Sequence, residues 1–232
     1  DAFSLLLKSY PQTPLKRYAL YQLAISYFNN KMYQDASDTF QTFLKENPQS
    51  LEEEIRSDEA LFWLARSYYE LKDYRGAIQS CQQLLSQFPN SEMRYKTEFF
   101  LAESMYWIGD YQKARAKYQE LLSKYPKGEK AEECQYGIGW TYFSEANEAS
   151  NKQSQNELYR NAVAAWQKTV SDYPNGSLRY KAQYHVGIGY LNLKNYDKAI
   201  ETFKLIPQNS DWHDNALYRI AWTFYKKEDY KK

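Results

Sequence analysis

Histidine and cysteine are nearly absent from this chain, and glycine and proline are scarce. Two histidines and two cysteines among 232 residues leave little from which to build a metal centre. Cys81 and Cys134 fall in different segments and form neither a zinc motif nor a disulfide framework. Eight glycines and seven prolines suit long helices. An excess of either charge is also missing, because 30 Lys and Arg face 29 Asp and Glu. No overall field therefore draws the chain to nucleic acid or anionic lipid. No apolar run approaches the ~18 residues needed to cross a bilayer, so this stretch inserts no span. What the chain has in plenty is aromatic rings, at 18% of residues, with 24 tyrosines. Such rings suit crowded helix interfaces and, where exposed, partner surfaces.

One skeleton returns along the sequence. Tyr111, Ala114, Tyr118, Leu122 and Pro126 keep the spacing of Tyr33, Ala36, Phe40, Leu44 and Pro48. It recurs as Tyr74, Ala77, Cys81, Leu85 and Pro89, and as Tyr159, Ala162, Trp166, Val170 and Pro174. A period of this length marks a repeat protein, in which each unit is stabilised by stacking on its neighbours. Each unit reads as a helical hairpin. Its first helix places residues such as Leu20, Leu23, Ala24 and Tyr27 on one face, and its second is stopped by the proline. Asp or Asn stands just before the tyrosine at Asp73, Asp110, Asn195 and Asp229, where it can cap the second helix. Met32 takes that place in the first unit, so a weaker cap is expected there.

The units run over about 12–48, 49–89, 90–126, 127–174 and 175–207, with partial units at 1–11 and 208–232. Both ends are expected to continue in the natural protein, since each cuts through a unit. Tyr159 follows Gly137 by twenty-two residues, where nine separate Ala24 from Tyr33. The insertion near 146–158 either extends the helices around a loop or forms a flexible excursion. Pro207 comes only eleven residues after Tyr196, so that second helix is about one turn short.

Ala24, Ala65, Ala102, Gly137, Gly187 and Ala221 supply a small side chain where paired helices approach. Tyr27, Tyr68, Trp140, Tyr190 and Phe224 follow three residues later. With alanine twelve residues on, a large apolar residue at sixteen and proline at twenty-four, this order resembles the tetratricopeptide repeat (TPR). The usual first-helix tryptophan is replaced by Leu20, Leu61, Glu98, Glu133, Gln183 and Leu217. The resemblance covers essentially the whole chain and implies an all-α, right-handed TPR superhelix, a single solenoid of antiparallel helix pairs over 1–232. The phrases Phe88 to Ser91, Tyr125 to Gly128 and Tyr173 to Gly176 resemble bacterial cell-envelope TPR proteins of the Tol–Pal coordinator and outer-membrane β-barrel assembly lipoprotein type. That second resemblance implies a bacterial periplasmic or envelope setting, with a cytoplasmic one as the alternative.

Nothing in the sequence assembles a reaction site. No second ligand-type residue stands a turn from His185, and Asp211 to Asp214, DWHD, reads as a solvated loop after Pro207. Gly187-Ile188-Gly189 lacks the third glycine and the strand of a dinucleotide site. No enzyme activity, metal or cofactor is expected.

TPR arrays hold a peptide or a partner helix on the concave face of their first helices, so the resemblance places a groove here. Its expected members are Tyr21, Phe28, Phe62, Arg66, Tyr69, Phe99, Glu103, Tyr106, Tyr184 and Tyr218. Tight winding of the units would instead bury much of this face. The basic clamp that some TPR domains use for a terminal carboxylate is not evident, which favours hydrophobic recognition. The sequence thus points to a scaffold for a protein or peptide partner, with homo-oligomers open. Its rivals are the interaction arm of a larger enzyme or regulator and an RNA-binding array, the latter disfavoured by the near-zero charge.

Overall fold

The computed structural model describes residues 2–46 and 51–229, and at 51–56 and 228–229 the backbone alone. Among the described residues it contains helices and no strand. In chain order these are α1 (Ala2–Ser9), α2 (Lys16–Asn29), α3 (Tyr33–Lys45), α4 (Leu51–Glu70), α5 (Tyr74–Gln87) and α6 (Arg94–Trp107). There follow α7 (Tyr111–Lys124), α8 (Ala131–Glu148), α9 (Lys152–Asp172), α10 (Arg179–Asn192), α11 (Tyr196–Lys204) and α12 (His213–Asp229). The chain divides into two compact units, 1–110 with α1 to α6 and 111–232 with α7 to α12. Within each unit every helix packs on the next, and in the first α4 also touches α2 and α6. This is the all-α class of helix pairs implied by the repeat.

The tyrosine of the repeat marks a physical boundary. α3, α5, α7 and α11 begin at Tyr33, Tyr74, Tyr111 and Tyr196. Two residues before each tyrosine the backbone enters the left-handed region, at Lys31 (φ 61°), Lys72 (φ 61°), Gly109 (φ 84°) and Lys194 (φ 56°). The reversal lets Lys72 and Asp73 donate their backbone N–H groups to the Tyr69 and Tyr68 carbonyls, closing the end of α4, and the other three turns repeat the pattern. The Asp73 side chain then accepts from Gly76 N at 3.0 Å, and Asn195 accepts from Lys198 N at 3.3 Å. Met32 makes no side-chain cap, as its chemistry requires. The expected stop at Pro48, the cap at Asp229 and the restart at Tyr230 concern groups outside the described residues.

The insertion is helical. It lengthens α8 to Glu148 and starts α9 at Lys152, where the Asn151 carboxamide accepts from Gln153 and Ser154 N. The excursion alternative does not hold, because the tip is tied down on both sides. Tyr159 donates its hydroxyl to Asn147 at 2.6 Å, and Gln155 donates to the Ala146 carbonyl at 3.0 Å. α11 is short, nine residues against fourteen in α5 and α7, as Pro207 predicts.

The repeated alanines Ala24, Ala36, Ala102, Ala114, Ala162 and Ala199 are fully buried. Gly137 takes the small position in α8, where a β-carbon would lie 2.9 Å from the Tyr118 ring. One feature of the second helices differs from the skeleton. Phe43, Leu84 and Leu121 are fully buried, whereas the repeat leucines just after them, Leu44, Leu85 and Leu122, are half-buried. A step of about 100° around the helix turns those leucines from the pair's own core toward its flank.

Arginines at the starts of first helices secure the turns between hairpins. Arg17 is buried and donates to the Phe43 and Glu46 carbonyls at the end of α3, at 2.9 and 2.5 Å. Arg94 and Arg179 each reach back to the proline carbonyl five residues earlier, at 3.0 Å (Pro89) and 2.8 Å (Pro174). Cationic side chains here meet backbone acceptors that no following helical turn can satisfy.

Candidate functional site

On α4 the stripe Phe62, Arg66 and Tyr69, and on α6 the stripe Phe99, Glu103 and Tyr106, follow helical spacing, so each set shares one face. The ten side chains expected to form the groove do not all reach its surface. Tyr21, Phe28, Phe62, Phe99 and Tyr184 are buried. Tyr21 packs on Phe40 and Phe43 with ring centres 6.2 and 5.7 Å apart, and its hydroxyl donates to Glu59 at 2.5 Å. Phe28 meets Tyr33 and Trp63, and Phe62 meets Trp63 and Phe100. In unit 2, Tyr184 is clasped by Phe203 and Trp212 and accepts from Arg219 Nε at 3.0 Å. Tyr21 and Tyr184 are taken up by the second helix of their own hairpin, and Phe28 and Phe62 by the next first helix.

Arg66, Tyr69, Glu103 and Tyr106 are half-buried and belong to one cluster in unit 1. Tyr69 organises it. Its hydroxyl donates to Glu103 Oε2 at 3.2 Å and accepts from Trp107 Nε1 at 3.0 Å. Burial, then the Glu103 charge, holds its pKa far above the ordinary tyrosine value, so it stays a neutral donor. Trp107 stacks on Tyr74 with ring centres 5.7 Å apart and an interplanar angle of 11°, and Tyr106 meets Trp107 edge-on at 5.3 Å. Trp107 nonetheless stays 53% exposed, and the next residue, Ile108, is exposed as well. Arg66 lies among Phe28, Trp63 and Phe100, and burial pulls its pKa below the usual arginine value while Glu70 opposes that shift. Tyr218, the tenth residue, is exposed on α12 in unit 2.

Sequence reasoning missed Trp63, Tyr74, Phe100 and Trp107. The signal was present as aromatic doublets, Phe62-Trp63, Phe99-Phe100 and Tyr106-Trp107. The second ring of a doublet lies about 100° around the helix from the first, so it faces the neighbouring helix or the rim.

Unit 2 carries a cleft of about 680 Å³ beside α7, α8 and α9, lined in part by Leu122, Glu133, Gln135, Lys168 and Asp172. Two of the acids that line it are tied into the fold, since Glu132 accepts from Leu178 N at 2.8 Å and Glu133 pairs with Lys130 at 2.8 Å. A stiff network closes α7 against α8, in which Arg115 pairs with Glu145, donates to Thr141 at 3.0 Å and lies 3.6 Å over the Tyr142 ring. The DWHD stretch is not simply solvated. Trp212 packs on Tyr184 at 5.1 Å, and His213 Nδ1 lies 3.3 Å from the Ile206 carbonyl, while Asp211 and Asp214 are exposed. Among the described residues no three His, Cys, Asp or Glu side chains gather as a metal site would require. Cys81 packs with Ala65 and Leu101, and burial pushes its thiol up to about 12. No described helix is long and apolar enough to cross a membrane.

The family model YfiO, described as an outer membrane lipoprotein, matches residues 54–192, and a tetratricopeptide repeat model matches residues 18–50. Among solved structures, MamA from Desulfovibrio magneticus, residues 41 to its end, is similar at 16% identity and a TM-score of 0.64. That match covers 84% of this chain and 98% of MamA. The apo form of RapI is similar at 16% identity and a TM-score of 0.66, over 91% of this chain and 60% of RapI. A putative kinesin light chain from Podosopora anserina, with nearly identical TPR-like repeats, is similar at 14% identity and a TM-score of 0.61, covering 83% and 93%. At such identities the likeness is one of fold. No curated protein sequence matches this one.

Proposed function

The chain belongs to the outer membrane lipoprotein family, and from that premise we propose that it is a non-catalytic scaffold in a bacterial cell-envelope assembly. A TPR chain is a protein-interaction module. Its partner segment lies on the α4–α6 face of unit 1, on Arg66, Tyr69, Glu103, Tyr106 and Trp107. Buried Phe62 and Phe99 support that face from below.

The observation that carries this reading is Trp107. A tryptophan stacked on Tyr74 and hydrogen-bonded to Tyr69 is fixed in orientation while half its surface meets solvent. Burying a pre-ordered ring needs little further loss of side-chain freedom, the property of residues that dominate binding energies. Polar tips on Tyr69 and Glu103 then give direction to an otherwise apolar contact.

Position-specific photocrosslinking in the native cell tests this. A benzophenone amino acid at Tyr106 is expected to give a discrete adduct with an envelope protein. The same probe at exposed Leu205 on unit 2 is expected to give none. Equal labelling from both positions, or adducts only with a second copy of this chain, would contradict the assignment.

A further inference from the structure

Arg66 stands about one turn from the C-terminal end of α4, with its guanidinium carbon 4.9, 5.2 and 5.3 Å from the ring centres of Phe28, Trp63 and Phe100. The rings offer π surface but no in-plane acceptor for its N–H groups, and its Nε is buried without a hydrogen-bond partner. Among the described residues no carboxylate comes within ion-pair distance of it. Glu70, one turn on, acts only at longer range, and Glu103 accepts from the Tyr69 hydroxyl.

Other half-buried or buried arginines are engaged. Arg17 meets two carbonyls, Arg94 meets Glu98 and the Pro89 carbonyl, and Arg115 meets Glu145. A buried donor left unmet is destabilising, and an arginine fork already held in orientation suits a carboxylate. Arg66 is therefore arranged for an acceptor that comes from outside the chain.

Resting on the reading that the α4–α6 face takes a partner segment, we propose that Arg66 is the specificity determinant of that face. It receives the side-chain carboxylate of an internal Asp or Glu whose neighbours are apolar or aromatic. An internal acid fits better than a chain end, because half-buried Trp63 on α4 and Phe100 on α6 border Arg66 with aromatic surface for the residues that flank the acid.

Three labelled peptides test this by fluorescence anisotropy against the whole chain. The first is acetylated and amidated and carries a central Glu among Leu, Phe and Trp residues. The second replaces Glu with Gln, and the third is the Gln peptide with a free terminal carboxylate. The Glu peptide is expected to bind roughly tenfold more tightly than the Gln peptide. Arg66→Met abolishes that preference, so that the Glu and Gln peptides bind it alike, and Arg66→Lys, which keeps the charge without the fork, retains only part of it. Far-UV circular dichroism establishes that both variants fold. In the wild type, the Arg66 Nε–H resonance shifts on adding the Glu peptide, a readout that requires no variant. Equal affinity for Glu and Gln, or a preference that survives Arg66→Met, overturns the proposal while leaving the face as a binding site. Tighter binding of the free-carboxylate peptide alone reassigns the ligand to a chain end and overturns the internal acid. Failure of all three peptides to bind overturns the reading of the face together with this one.

Discussion

Gly139→Ala is expected to destabilise unit 2 by about 2–3 kcal/mol, although alanine in place of a mid-helix glycine ordinarily stabilises by about 0.5–1 kcal/mol. The sign reverses because of Trp166. A β-carbon on Gly139 would lie 2.2 to 2.6 Å from atoms of the indole five-membered ring. That indole is fully buried and donates from Nε1 to the Tyr136 carbonyl at 3.2 Å, so it has no space into which to retreat. Phe143, Trp140 and His185 hold its other sides. Urea denaturation of Gly139→Ala, Trp166→Phe and the double variant forms a cycle. Removing the five-membered ring should make the alanine substitution much less harmful, giving a favourable coupling of at least about 1 kcal/mol. Additive effects would show that Gly139 does not set the distance between α8 and α9.

Stability should fall by about 2 kcal/mol between pH 7.5 and pH 5, before the carboxylates titrate, through His185. The imidazole lies among Trp140, Trp166, Tyr136, Tyr184 and Trp212, with ring centres 4.7 to 6.0 Å away. Burial, and secondarily the Lys181 charge, lowers its pKa from 6.5 to about 4. As pH falls through 6.5 the unfolded chain takes up a proton that the folded chain refuses until about 4. The stabilisation is therefore complete above the unfolded value and is lost across that window. Glu120, held down to about 2 by its hydrogen bonds to Lys117 and Lys124, acts lower, below 4.5. Thermal or urea unfolding of His185→Phe should show little pH dependence between 7 and 5. A wild-type curve that is flat there would mean that the ring is hydrated.

Most of the fold was legible because the repeat records packing. Tyr33, Tyr74, Tyr111 and Tyr196 begin helices because a left-handed residue two positions earlier closes the preceding helix. The fourth hairpin broke the rule at Tyr159, since a polar insertion with no hydrophobic face gives no periodic signal. Asn151 caps it into helix all the same. The site was less legible. A helical stripe says which residues share a face, but not how deeply the neighbouring helix covers it. Phe62 and Phe99 went into the packing, while Trp107, one residue beyond the expected stripe, is half in solvent. Arg66 was found by its charge in an apolar row, whereas its unmet Nε became visible only once Phe28, Trp63 and Phe100 were placed around it.

The central claim is that a partner is held on the aromatic cluster built on Tyr69 and Trp107. Isothermal titration of the crosslinked partner's binding segment against the wild type and the Tyr106→Ala, Trp107→Ala double variant measures it directly. A loss of affinity of about tenfold or more with an unchanged far-UV spectrum is the predicted result. Undiminished affinity in a double variant that remains fully helical would contradict it.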